Sequence, residues 1–108
     1  MINNSTVAGI NSSIAAGTND LGRPWRSFPR VVFQNTDMTD FIAPEWWSEW
    51  SKSASNTGNV TLAEFGSTGA GSQGTRASFA TKLQKAVVIE DILGATWKDE
   101  WWVDESYM

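Results

Sequence analysis

Apolar residues come in short bursts along this chain, separated by polar stretches rich in Gly, Ser and Asn. The strongest burst is Val31 to Thr36. It sets two valines and a phenylalanine ahead of a polar close, a density of β-branched and aromatic residues that predicts a strand. Asn59 to Phe65 predicts another. Val60, Leu62 and Glu64 fall on one face and Thr61, Ala63 and Phe65 on the other, the period of two of an extended chain. Ile2 to Val7 is a weaker strand, and Ala77 to Ala80 a short extended piece. Phe41-Ile42 is a brief apolar patch that Pro44 ends. Glu90 to Leu93 reads as one helical turn, led in by Val87-Val88-Ile89 and stopped by Gly94. Residues 8–20, 51–58 and 66–74 read as loops, and the tail, 97–108, has no clear period.

The predicted strand centres near residues 5, 33 and 62 are 28 and 29 residues apart. That spacing suits successive coils of a solenoid with one long loop each. It suits a three-stranded antiparallel meander equally well, and periodicity does not separate the two.

Composition narrows the chemistry. With 108 residues the chain fits one small domain, and 41% hydrophobic content is enough for a core. There is no cysteine, so no disulfide framework and no Cys-ligated metal site. There is no histidine, which removes Ser-His and Cys-His catalysis and His-ligated zinc. Eight Lys and Arg against twelve Asp and Glu give a net charge of −4 with no basic run, so no nucleic-acid partner is expected. No apolar stretch approaches the ~20 residues of a membrane span. The first residues lack the basic and apolar regions of a signal peptide. Asn3, Asn4, Asn11 and Asn59 each begin an Asn-x-Ser/Thr sequon, a pattern suited to a secreted surface.

The sharpest chemical feature is Leu21-Gly22-Arg23-Pro24-Trp25. Proline fixes its own φ and pushes the residue before it towards extended geometry. Arg23 and Trp25 then project to one side, as residues i and i+2 of a strand do. A guanidinium beside an indole suits an acidic sugar: the fork holds a carboxylate and the ring face covers a pyranose. The competing reading is a surface salt bridge for Arg23 and a core position for Trp25.

The residues downstream of this motif resemble the C-terminal part of the pectinesterases, most closely the fungal type. The resemblance rests on Arg30 to Thr36, Ile42-Ala43-Pro44, Trp47-Ser48-Glu49-Trp50, Glu64 to Ser72 and Thr75-Arg76, in that order. It runs from about Ile2 to Thr96, giving a domain segment 1–96 and a tail 97–108. It implies an all-β fold, the last coils of a right-handed parallel β-helix, with asparagine ladders between coils. It also implies a secreted, monomeric enzyme without metal or organic cofactor, acting on pectin, a methylated polygalacturonate. Such an enzyme acts outside the cell and needs a leader. The chain is therefore expected to be the tail of a longer protein.

In that family one Asp attacks the methyl ester, a second Asp serves as general acid and base, and Gln side chains stabilise the anionic intermediate. The motif arginine bonds the nucleophilic carboxylate and keeps it ionised. Arg23 matches that position, Trp25 matches a tryptophan lying against substrate, and Trp47 matches one lining the same groove. Trp47 as a loop residue packed on the coil body is the alternative. The resemblance places both catalytic Asp and the Gln residues in earlier motifs, and nothing around Asp20, Asp37 or Asp40 matches them. Trp50 is expected to pack. Arg76 is expected to anchor the glycine-rich loop 66–74, which lacks the Lys and helix of a phosphate-binding loop.

Three positions depart from the family pattern. Asn19-Asp20 replaces a Tyr before the motif, close enough for Asp20 to compete for Arg23. Trp46 replaces a Gly; at positive φ this costs roughly 1–2 kcal/mol and sets an indole at the groove edge. Pro29 begins a strand, a tolerable place for it. Two other classes stay open: a non-catalytic carbohydrate-binding piece keeping Arg23, Trp25 and Trp47, and a structural relic that binds nothing.

Overall fold

Every strand pairing among the described residues is parallel, which decides for the solenoid over the meander. The computed structural model describes residues 1–104 and Ser106. Among these described residues six strands lie in two ladders. One orders β1 (Ile2–Asn3), β3 (Arg30–Gln34), β5 (Thr61–Phe65) and β6 (Thr81–Lys82); the other pairs β2 (Thr6–Val7) with β4 (Asp37–Met38). A third line of contact is made by isolated parallel bridges, Asn19 with Ile42 and Gly22 with Trp47. The chain thus winds as stacked coils of a parallel β-helix, the first two coils contributing to all three lines.

The register gives the coil length. Ile2 stands beside Phe33 and Phe33 beside Glu64, so one coil takes 31 residues. The next step, from Ala63 to Thr81, takes only 18. Thr6 beside Asp37 and Asp37 beside Thr68 repeat the longer step in the second ladder. The sequence spacing of 28 falls short because Ile2 to Val7 is two strands around a corner rather than one, and that of 29 because the strands run Arg30–Gln34 and Thr61–Phe65 rather than Val31 to Thr36 and Asn59 to Phe65. That corner recurs. Asn4, Asn35 and Gly66 occupy it in successive coils, all at positive φ (49°, 49° and 62°). Asn and Gly are the residues that tolerate this region. Asn35 Nδ2 donates to Asn3 Oδ1 across the coils at 3.2 Å, an asparagine contact of the kind expected.

The core sits inside the coils. Phe33, Met38, Ile42, Trp46, Trp47 and Leu62 form one buried cluster, with Val7, Val31 and Val60 packed against it. Burial is worth about 1.5–3 kcal/mol for each large side chain. Glu64 follows Leu62 inward, as its face requires, and would be an unpaired interior charge without Arg76. Arg76 Nε bonds Glu64 Oε2 at 2.5 Å, both side chains are almost fully covered, and the guanidinium lies 4.0 Å from the Trp46 ring centroid. Arg76 also donates to the carbonyls of Ser72 (2.6 Å) and Pro44 (2.9 Å), so it anchors the glycine-rich loop as expected. That loop is ordered by close approach: a Cβ on Gly69 or Gly71 would run into the carbonyl oxygens of Met38 or Thr39.

One expectation needs correction. Ala77 to Ala80 is a turn closed by an Ala80 N–H to Ala77 carbonyl bond of 3.0 Å, and the extended piece is β6 just after it. Trp97, the first residue of the tail, is buried and its indole donates to Glu90 Oε1 at 3.2 Å. Tail residues Glu105, Tyr107 and Met108 lie outside the described residues. The helical turn α1 (Ile89–Leu93) ends at Gly94 as expected. It is tied to the outer face of the first ladder by Gln34. The Gln34 amide donates to the Val87 carbonyl (3.0 Å) and accepts from the Val87 N–H (2.8 Å), as a strand neighbour would. Among the described residues no helix is long and apolar enough to cross a membrane.

Candidate functional site

Leu21 to Trp25 is held by the coil segment beneath it. The Leu21 N–H donates to the Trp46 carbonyl (2.6 Å), and the Ser48 N–H to the Gly22 carbonyl (3.2 Å). Gly22 lies flat on the Trp47 indole: a Cβ there would meet the ring at 3.7 Å. Pro24 is fully buried while its neighbours on both sides are exposed. The alternation puts Arg23 and Trp25 on one side, facing out, and Trp25 is 67% exposed.

Arg23 has no carboxylate partner among the described residues. Its Cζ lies 5.3 Å from the Trp50 ring centroid, a cation–π contact, and the Trp25 and Trp50 rings are 6.5 Å apart at 40°. Arg26 stacks on Trp25 at 5.1 Å. Beside Arg23 opens a polar cleft of about 320 Å³ lined by Thr18, Asn19, Asp20, Gly22 and Ser48. Asp20 shares this cleft with Arg23 but forms no ion pair with it among the described residues. The N–H edges of the guanidinium are thus available to an acid from elsewhere, with two indoles alongside to cover a sugar ring.

The tryptophans sort differently from the sequence expectation. Trp50, expected to pack, is 40% exposed and belongs to the Arg23 patch. Trp46, expected at the groove edge, is fully buried. It does take positive φ, 62°, but the indole turns inward, donates to the Gly71 carbonyl at 2.8 Å and meets Phe33 edge-on. Trp47 is 3% exposed and packs on Phe33 with centroids 5.9 Å apart. The structure brings Arg23 and Trp25 together and places Trp47 beneath them, under Gly22. Among the described residues no group of three His, Cys, Asp or Glu side chains is placed to hold a metal ion.

A family model for pectinesterase matches residues 1–91. The chain belongs to the pectinesterase family. It is 47% identical to a pectinesterase of Aspergillus niger over 109 aligned residues, covering 100% of this chain and 32% of that protein. It is 53% identical to one of Aspergillus aculeatus over 108, covering 99% and 32%. The crystal structure of the pectin methylesterase from Aspergillus niger in deglycosylated form superposes with a TM-score of 0.77 at 34% identity, over 98% of this chain and 33% of that one. The chain spans about a third of the length of these relatives.

Sequence reasoning missed Arg26, Trp50 and Asn56 as neighbours of the motif, and Glu64 as the partner of Arg76. Asn56 gave no pattern signal. Its Nδ2 reaches the carbonyls of Pro24 (3.2 Å) and Trp25 (3.1 Å) from more than thirty residues away. Glu64 carried one: a carboxylate on the inward face of a strand requires a cation.

Proposed function

We propose that this chain forms the C-terminal coils of a secreted, monomeric enzyme that hydrolyses the methyl esters of pectin. In this reading an Asp from coils preceding these attacks the ester carbonyl, and methoxide leaves with a proton from a second Asp. Water then cleaves the acyl-enzyme, releasing the free uronate carboxylate. Arg23 bonds the nucleophilic carboxylate and holds it ionised and oriented. Trp25 covers a sugar ring, and Trp47 supports the motif from below. The observation that carries the reading is a forked cation without a carboxylate partner among the described residues, beside an exposed indole, in a segment of the pectinesterase family.

The test is a chimera in which this chain replaces the corresponding third of the Aspergillus niger relative. It should release methanol from methylated pectin. Arg23→Ala should lower kcat by about 10²–10³-fold, the scale for losing one charge-assisted contact at a reacting group, with the fold intact by circular dichroism. Trp25→Ala should raise KM with little change in melting temperature. An active chimera indifferent to Arg23→Ala would refute the assignment. An inactive chimera would favour the non-catalytic carbohydrate-binding reading, checked by binding to uronate oligomers.

A further inference from the structure

We propose that the loop 50–56 is a positioning device for Arg23, acting through Trp50 and Asn56. The inference rests on the reading of Arg23 as the partner of the nucleophile. An arginine serving a carboxylate must offer its fork in one direction, and its flexible stem opposes this. Among the described residues Arg23 makes no side-chain hydrogen bond, so none holds it. What restrains the guanidinium is the Trp50 ring at 5.3 Å. A cation–π contact commits none of the guanidinium's N–H donors to an acceptor, so they stay free for a carboxylate.

The loop is built to hold that ring still. The Trp50 N–H donates to the Ser55 carbonyl (3.2 Å), the Ser51 N–H to the Ala54 carbonyl (3.3 Å), and the Ala54 N–H to Ser51 Oγ (3.0 Å). Asn56 then turns at φ 59° and grips the two carbonyls next after Arg23 in the motif, those of Pro24 and Trp25. One loop therefore fixes the motif twice, its backbone through Asn56 and its cation through Trp50. A purely space-filling Trp50 would be buried, and this one is 40% exposed.

The consequence is electrostatic. A guanidinium held in place keeps the nucleophilic carboxyl ionised to lower pH; a loosened one lets its pKa rise. The acid limb of the kcat/KM profile reads this directly. In the chimera, Trp50→Ala should lower kcat by roughly 3- to 10-fold and move the acid limb up by about half a pH unit. Trp50→Phe should recover most of both. Trp50→Leu fills the space without an aromatic face and should not. Asn56→Gly keeps the left-handed backbone, removes the amide and should behave like Trp50→Ala. A Trp50→Ala enzyme with unchanged kcat and acid limb, or a Trp50→Leu enzyme equal to Trp50→Phe, would overturn the proposal. A second readout does not depend on turnover. The Arg23 Nε–H resonance should be shifted by the Trp50 ring current in the unsubstituted protein, and the shift lost in Trp50→Leu; its absence at the start would also overturn the proposal. An inactive chimera with the shift present would instead count against the pectinesterase reading of Arg23 alone.

Discussion

Trp46 sets two single-residue effects against each other. Its φ of 62° places a bulky side chain in a region that L residues avoid, at roughly 1–2 kcal/mol. Its indole is fully buried, hydrogen-bonded to Gly71 and stacked under Arg76. Removing a buried Trp costs about 3–5 kcal/mol. Burial wins, so Trp46→Gly should relieve the strain and still destabilise by about 1–4 kcal/mol net. Trp46→Ala keeps the strain and should lose more. Urea midpoints of the two variants decide the order; a stabilised Trp46→Gly would show that backbone strain dominates. Arg23 and Trp25 were legible at this scale because Pro24 constrains its neighbours locally. The inward turn of Trp46 was not, since it depends on Gly71 and Arg76, which arrive from the next coil.

At the scale of elements, α1 and the turn after it form a unit laid against the coils. Gln34 holds its leading strand-like segment, and Trp97 closes it onto Glu90. The Glu90 carboxyl is held below the ordinary range by its own backbone N–H first, then by the Trp97 indole N–H, with Lys98 adding a smaller pull. A carboxyl lowered in the folded state adds stability above its unfolded pKa, and the gain disappears as pH falls through the folded value. Glu90→Gln should therefore destabilise the protein near neutrality and make no difference at pH well below the usual glutamate pKa of about 4.3. A stability difference independent of pH would mean the contact is one of shape rather than charge. The helical turn itself could be read ahead of the structure, because Gly94 stops it and Val87 to Ile89 lead in. The strands at Arg30–Gln34 and Thr61–Phe65 were equally readable from their β-branched and alternating residues. Of the two-residue strands, those at 2–3 and 6–7 fall inside the weak strand expected over Ile2 to Val7, without the corner between them, whereas those at 37–38 and 81–82 gave no signal, since so short a strand exists only because its neighbour in the ladder pairs with it. Parallel direction was likewise invisible to periodicity and entered only through the family resemblance.

For the molecule as a whole, the decisive feature is the edge of the first ladder at β1. Among the described residues the first ladder ends at β1, whose outer side has no strand beside it in the order β1-β3-β5-β6. Met1 and Ile2 are exposed there, and Ile2 heads the interior column that continues through Phe33. An edge strand with free N–H and C=O groups and apolar residues behind it is a template for another chain. Coils of this kind bury their apolar faces only against neighbours, and about three are needed for stability. Two full steps of 31 residues and one of 18 lie near that limit. A net charge of −4 opposes association, but surface charge is screened beyond about 8 Å at physiological salt, whereas exposed apolar area is not. The isolated 108-residue chain should therefore melt broadly, at a temperature that depends on concentration, and should sediment as oligomers joined through β1. Ile2→Lys, a charge on that edge, should shift the population towards monomer, and fusion to the preceding coils of the Aspergillus niger relative should abolish the association. A sharp, concentration-independent melt from a monomer would show that the stack is closed well enough by what it already contains.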